Sequence, residues 1–324
     1  MTELRFELAK PDLGAWRAGN TGTEGVWHFD SGVPGRRAMV TALVHGNELC
    51  GAWAVLELLQ AGVRPRQGSL TLAFCNLAAF DRFDAAAFDA SRFVDEDFNR
   101  QWSLQRIADA GTVERRRAAE LLPFVQRADW LLDLHSMHEE GDPLLLVGTQ
   151  GRNLALARSL RAPEYVVVDE GHRDGTRMRD FGRFGMADAD AEAGDTRSLL
   201  IECGFHGDPA SRDVAHDMAA RFLVEAQVLD AATAADALPG WRQADAPRQW
   251  VLHVTGGVTA RSERFRFLQD WRGLQVIPRA GTPIGDNDGE AVVTPYDDCV
   301  LVMPSVRQAR AGVTVVRFAR KQPL

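Results

Sequence analysis

Six near-continuous apolar runs constrain this chain more than any other feature: Ala38–Val44, Ser69–Cys75, Trp130–Leu134, Leu144–Val147, Tyr165–Val168 and Ser198–Ile201. Strands covered on both faces read this way, because neither side of the pleat meets water. Apolar residues at helical spacing fall between or after them, over 50–59, 112–126 and 211–230, the last with Ser211 as a candidate N-cap. Strand and helix in alternation predict an α/β layer fold, with a mixed, mostly parallel sheet flanked by helices. Residues 1–35 are rich in glycine and polar turns and predict short strands joined by loops. Beyond residue 248 the pattern is strand-like and broken by turns such as Gly256-Gly257 and Asp286-Asn287-Asp288-Gly289. The expected organisation is an α/β domain over 1–235, a linker over 236–248 and a smaller β-rich domain over 249–324.

Charge and composition narrow the function classes. The formal net charge is −8, which argues against a dominant nucleic-acid surface, since phosphate binding calls for basic residues. No uncharged apolar run approaches membrane-spanning length, and residues 1–7 lack the apolar core of a signal peptide. Cys50, Cys75, Cys203 and Cys299 lie far apart, with no Cys-x-x-Cys pair, so thiolate metal binding and dithiol redox chemistry are not indicated. Reduced thiols in a cytoplasmic protein without membrane or nucleic-acid partners are the expectation. A homo-oligomer stays open.

Three strand ends carry polar residues that a buried strand does not need. The first run ends at His45-Gly46-Asn47-Glu48, ahead of a helix; the third ends at His135; the sixth ends at Glu202. Sites in open α/β sheets form beyond the carboxyl ends of strands, so these residues can converge across long sequence separations. His45, Glu48 and His135 together offer the two-histidine, one-carboxylate ligand set of a catalytic zinc, one ion per chain, with water in the open position. Glu202 is then the general base. Asp133, on the strand of His135, is a candidate to hold a ligand histidine in the right tautomer. His138 is a competing ligand, while His172, His206 and His216 are expected at the surface or supporting the site.

A second constellation lies in Ser91-Arg92-Phe93-Val94-Asp95-Glu96-Asp97-Phe98-Asn99-Arg100. Loops this long between strands are often functional. Arg100 offers a planar fork for a substrate carboxylate, Asn99 a neutral donor beside it, and Arg92 a partner for a second anionic group. Asp97 is expected to position Arg100 or a neighbouring loop.

The ordered set His45-Gly46-Asn47-Glu48, Arg92, Asp97-x-Asn99-Arg100, His135 and Glu202-x-Gly204 resembles the succinylglutamate desuccinylase and aspartoacylase family, within the zinc carboxypeptidases of the carboxypeptidase A type. The resemblance spans residues 45–204. It implies a zinc hydrolase that cleaves a small N-acyl amino acid, with zinc on His45, Glu48 and His135 and with Glu202 as base. It also implies that Asn99 and Arg100 hold the substrate carboxylate, and that Arg92 polarises the carbonyl oxygen. A further substrate-side arginine of the family has Arg177, Arg179 and Arg183 as candidates here, Arg179 foremost. Tyr296 is a candidate for a tyrosine lining the channel. The alternatives are a metallocarboxypeptidase acting on peptides or peptidoglycan fragments, and a zinc- or ligand-binding protein without catalysis.

Overall fold

The structure is a computed structural model and describes residues 5–172 and 174–324; residues 1–4 of the first expected domain lie outside it. In the first two-thirds of the chain the strands are β1 (Val26–Asp30), β2 (Arg37–Ala42), β3 (Ser69–Phe74), β4 (Trp130–Met137), β5 (Leu144–Leu146), β6 (Tyr165–Val168) and β7 (Arg197–Phe205). The remainder adds β8 (Trp250–Thr259), β9 (Arg266–Phe267), β10 (Val276–Ile277), β11 (Pro283–Asn287), β12 (Glu290–Val293), β13 (Cys299–Val302) and β14 (Thr314–Pro323). The helices are α1 (Leu49–Gln60), α2 (Leu77–Asp81), α3 (Leu104–Asp109), α4 (Val113–Arg127), α5 (Gly151–Leu160), α6 (Ala210–Glu225) and α7 (Ala231–Ala237). No helix among the described residues is long and apolar enough to cross a membrane. All four cysteines are buried and unpaired.

Eleven strands form one sheet in the order β1-β3-β2-β4-β7-β5-β6-β8-β14-β13-β10, and β12-β11-β9 form a small antiparallel sheet. The predicted α/β architecture is present. Strands β3, β2, β4 and β7 run parallel, β5 turns antiparallel to β7, and β6 and β8 follow β5 in parallel. Helix α7 runs across the expected boundary at 235/236 into the start of the linker, capped by the Asp230 side chain on the Thr233 N–H. Strands on its two sides pair directly, Tyr165 opposite Trp250 and Val168 opposite His253. The C-terminal segment therefore continues the main sheet through β8, β14, β13 and β10.

Side chains alternate across a strand, so each buried run supplies two cores. Val40, Leu132, Leu134, Leu199 and Ile201 point to the face covered by α1, α5 and α6. Met39, Leu131 and Val44 point to the other face, against Ala118, Leu121 and Val125 of α4. Further along that second face, Leu144, Leu146 and Leu200 pack with Leu252, Val300 and Val302 of the C-terminal strands. By the same alternation His135 shares a face with Leu131, and Glu202 with Leu200. Helix α6 starts at Ala210 with Pro209 at the N-cap, so Ser211 lies inside the first turn; its hydroxyl donates to the Asp208 carbonyl instead of capping.

Candidate metal centre and adjoining cavity

The chain leaves β2 through Leu43, whose φ of 57° is unusual for a branched side chain, and reaches His45 and then Gly46. A Cβ on Gly46 would lie 2.4 Å from the Ala79 carbonyl carbon and 2.5 Å from both Phe80 N and Ser91 O. Only glycine lets the turn pass this close to neighbouring backbone. Its N–H donates to the Arg92 carbonyl at 3.0 Å, which ties the His45 turn to the Arg92 loop. Glu48 occupies the N-cap of α1, yet its side chain caps nothing. The carboxylate is aimed at two imidazoles instead.

His45 Nδ1 lies 2.8 Å from Glu48 Oε1, and His135 Nδ1 lies 2.8 Å from Glu48 Oε2. The far nitrogens also face carboxylates: His45 Nε2 is 3.0 Å from Asp97 Oδ1, and His135 Nε2 is 2.8 Å from Asp133 Oδ2. The two His135 approaches are close but poorly aligned, leaving Glu48 Oε2, His135 Nε2 and Asp133 Oδ2 without a hydrogen-bond partner. Asp133 is anchored by the Thr41 hydroxyl at 2.8 Å. Carboxylates only accept, so two histidines with acids on both nitrogens need either an extra proton each or a shared cation. Both Nδ1 atoms converge on the one Glu48 carboxylate, and a ligand atom from each of the three buried residues lies within 4.8 Å of the others. The donor set of two imidazoles and a carboxylate suits zinc. These residues fit the metal.

Electrostatics agree with that geometry. Burial alone would raise the Glu48 carboxyl, yet His135 and His45 hold it well below the usual carboxylate range. Burial likewise opposes a charged His135, but Asp133 and Glu48 raise it well above an ordinary imidazole. Glu202 sits opposite His135 across the β4–β7 pair. Burial, reinforced by the Glu48 charge against the pull of His135 and Arg92, pushes its carboxyl up to about 8. Glu202 Oε2 has no partner. A carboxylate held near neutral affinity with a free oxygen suits proton transfer.

The Arg92–Arg100 loop closes one side. Asp97 Oδ1 accepts from the Asn99 N–H at 2.8 Å, and Asp97 Oδ2 lies 3.1 Å from Arg92 Nη2. Burial raises the Asp97 carboxyl, but Arg92, His45 and Arg100 together hold it well below the usual range. The loop is gripped by Glu114 in the first turn of α4. Glu114 Oε1 accepts from the Val94 N–H at 2.7 Å and Asn76 Nδ2 at 3.1 Å; its Oε2 accepts from the N–H groups of Asp95 and Glu96.

Beyond the histidines lies a cavity of about 180 Å³. Leu144, Leu146 and Leu200 are among its lining residues, with Met303, Val313 and Thr314 contributed by the C-terminal segment. Arg100, Arg177 and Arg317 also line it, around His172. Arg177 is locked bidentately on buried Asp169 at 2.8 and 2.9 Å. Arg100 reaches Asp174 at 3.1 Å and His172 Nδ1 at 3.1 Å, and Arg317 Nη2 lies 2.9 Å from His172 Nε2. Burial, followed by Arg100, Arg317 and Arg177, keeps His172 well below an ordinary imidazole, so the ring is neutral and the cluster keeps its excess of positive charge.

The family model described as the succinylglutamate desuccinylase/aspartoacylase catalytic domain matches residues 34–200. The chain belongs to this family. Its fold is similar to that of succinylglutamate desuccinylase from Vibrio parahaemolyticus, with TM-score 0.64 at 15% identity over 92% of this chain and 86% of that one. A succinylglutamate desuccinylase/aspartoacylase family protein from Shewanella amazonensis gives TM-score 0.63 at 14% identity, over 92% and 94% of the two chains. The product-bound ectoine utilization protein EutE from Ruegeria pomeroyi gives 0.60 at 18% identity, over 91% and 87%. No curated protein matches the chain.

The structure brings together His45, Glu48, His135, Glu202, Arg92, Asp97, Asn99 and Arg100 on the cavity wall. Arg179 is not among them. Its guanidinium is fully buried and spent on Asp180, the Val147 and Ser198 carbonyls and the Ser198 hydroxyl. Arg177, two residues earlier, lines the cavity in its place. Tyr296 is also elsewhere: its hydroxyl is 2.6 Å from Thr255 Oγ1, and Arg320 stacks over its ring. His206 and His216 are buried and not at the surface. Arg317 and Glu114 escaped the sequence reading. Nothing in the sequence around Arg317 marks it, but the acid in the first turn of α4, just after the Thr112 cap, is a visible signal for Glu114.

Proposed function

We propose that this chain is a zinc-dependent hydrolase that cleaves the amide bond of small N-acyl amino acids. His45, Glu48 and His135 would hold the zinc, with Asp97 and Asp133 keeping both Nδ1 atoms turned toward it. Bound there, zinc supplies Lewis-acid polarisation of the carbonyl and lowers the pKa of water. Glu202 takes the proton of the attacking water at Oε2 and returns it to the leaving nitrogen. Arg92 donates to the carbonyl oxygen as negative charge builds on it. Asn99 and Arg100 hold the substrate carboxylate, with Arg177 and Arg317 adding positive potential at that end.

One observation carries this reading: His135 and Glu202 are register partners on adjacent strands, which would set the proposed ligand and the proposed base side by side. A cavity of about 180 Å³ walled partly by C-terminal residues suits a small substrate and speaks against peptides or peptidoglycan fragments. A free carboxylate oxygen beside the ligand set speaks against a purely binding role. The test is a panel of N-acetyl, N-succinyl and N-formyl amino acids given to the zinc-loaded protein. Glu202→Gln should lose about a thousandfold in turnover while retaining zinc, measured by elemental analysis. Undiminished activity in that variant, or none in the wild type at full zinc occupancy, would sink the proposal.

A further inference from the structure

Arg92 has only donors to offer, and its guanidinium is held from several sides. Nη2 lies 3.1 Å from Asp97 Oδ2, and Nη1 lies 3.7 Å from Glu48 Oε1. Nη1 also lies 3.2 Å from His138 Nε2. Because guanidinium cannot accept, that imidazole nitrogen must be bare. On the other side of the ring, His138 Nδ1 lies 2.8 Å from Asp89 Oδ1. A carboxylate cannot donate, so this nitrogen must carry the proton. The two contacts together admit one form of the ring, the neutral Nδ1–H tautomer. An imidazolium would set an N–H against the guanidinium. Burial, aided by Arg92 against Asp89, does lower the His138 pKa.

The ring is also braced. His206 packs edge-on against it at 4.8 Å between centroids, and His206 Nδ1 is fixed 2.7 Å from the Ser136 hydroxyl. Asp89 has Arg307 Nη1 3.6 Å from its second oxygen, and Arg307 Nε is tied to Glu139 at 3.0 Å. His138 is thus unavailable as a metal ligand, since a guanidinium occupies the space before Nε2.

We propose that His138 is a positioning residue for Arg92: neutral, donating through Nδ1 to Asp89 and accepting at Nε2 from Arg92 Nη1, it sets the plane of the guanidinium that faces the scissile carbonyl. The geometry stands without a substrate; the effect on turnover rests on the deacylase reading. Removing the acceptor lets the guanidinium rotate, and small misplacements of this kind are costly in rate.

Four variants and one spectrum test it. His138→Phe fills the site without an acceptor. Its kcat should fall about ten- to a hundredfold at nearly unchanged KM and zinc content. His138→Gln places an amide oxygen near the position of Nε2 and should restore most of that loss. In an Arg92→Ala background, His138→Phe should cost almost nothing more, because its effect runs through the missing side chain. A full, multiplicative loss in the double variant would overturn the proposal, as would a folded His138→Gln as slow as His138→Phe. Two-bond ¹H–¹⁵N spectra at pH 7 should show His138 protonated at Nδ1 and bare at Nε2. An Nε2–H tautomer or an imidazolium there would overturn it too. That readout needs no turnover, so a wild type inactive on every substrate refutes the deacylase reading while the tautomer still decides the role of His138.

Discussion

Each of the two histidines proposed as zinc ligands has its own acid behind it, and on that proposal the acid is where metal affinity would be set. Asp133 stands 2.8 Å from His135 Nε2, and its other oxygen is held by Thr41. Replacing Asp133 by Asn removes the charge while keeping the shape. We expect Asp133→Asn to bind zinc about 10- to 100-fold more weakly, read by competition with a chelator of known affinity. Unaltered affinity would deny it that role. At this scale the sequence was readable wherever a polar residue ended an apolar run, because burial there demands a reason. His45, Glu48, His135 and Glu202 stood out on those grounds. The arginines did not. Arg177 and Arg179 flank one residue at the start of a three-residue 3-10 turn, where neighbouring positions point in different directions and no period reveals which faces the cavity. Arg317 shares its strand with the exposed Arg320 and Lys321, and a charge in such a strand ordinarily signals solvent.

Between elements, the decisive link is a helix holding a loop. Glu114 receives the backbone N–H groups of Val94, Asp95 and Glu96, three consecutive donors that no strand or helix satisfies. Charge-assisted bonds of this sort contribute about 1.5–3 kcal/mol each. In Glu114→Gln an amide NH₂ would face those donors on one side. We expect amide exchange at 94–96 to quicken strongly and kcat/KM to drop about tenfold, with zinc content unchanged. Exchange rates equal to wild type would show that the loop is held by something else. The long runs revealed the strands at this scale, and 112–126 foretold α4, found at Val113–Arg127. Helix α7 spans the expected boundary between domain and linker. Its Ala-rich stretch has no apolar stripe to announce it, although Asp230 followed by Thr233 is a usable capping signal.

At the scale of the whole molecule, a buried ion pair braces the connection between two strands of the sheet. The Asp169–Arg177 pair joins the segment after β6 to the segment before β7, and both partners are almost fully buried. Burial would raise the Asp169 carboxyl, but Arg177 brings it down to about 2. A carboxyl depressed in the folded state stabilises above its unfolded pKa and loses that contribution as pH falls through the folded value. From about 3.9 down to the folded value, the loss is on the order of 2 kcal/mol. The stability advantage of the wild type over Asp169→Asn should therefore shrink as pH falls from 4 toward 2, followed by urea unfolding. An advantage constant across that window would exclude the pair as an acid-sensitive contact.

Alternation of strand and helix predicted the architecture, but not that the last third would add its strands to the same sheet. The apolar runs carry no information about which edge pairs with which. That pairing has a consequence for chimeras built within the family. Arg317 lies opposite Gly257 on β8, and β8 in turn is set against β6 residue by residue. A transplanted C-terminal third arriving one position out of step would present Val316 or Phe318 to the cavity and turn the guanidinium to the opposite side. Swaps meant to alter selectivity must therefore preserve strand phase before they alter any side chain.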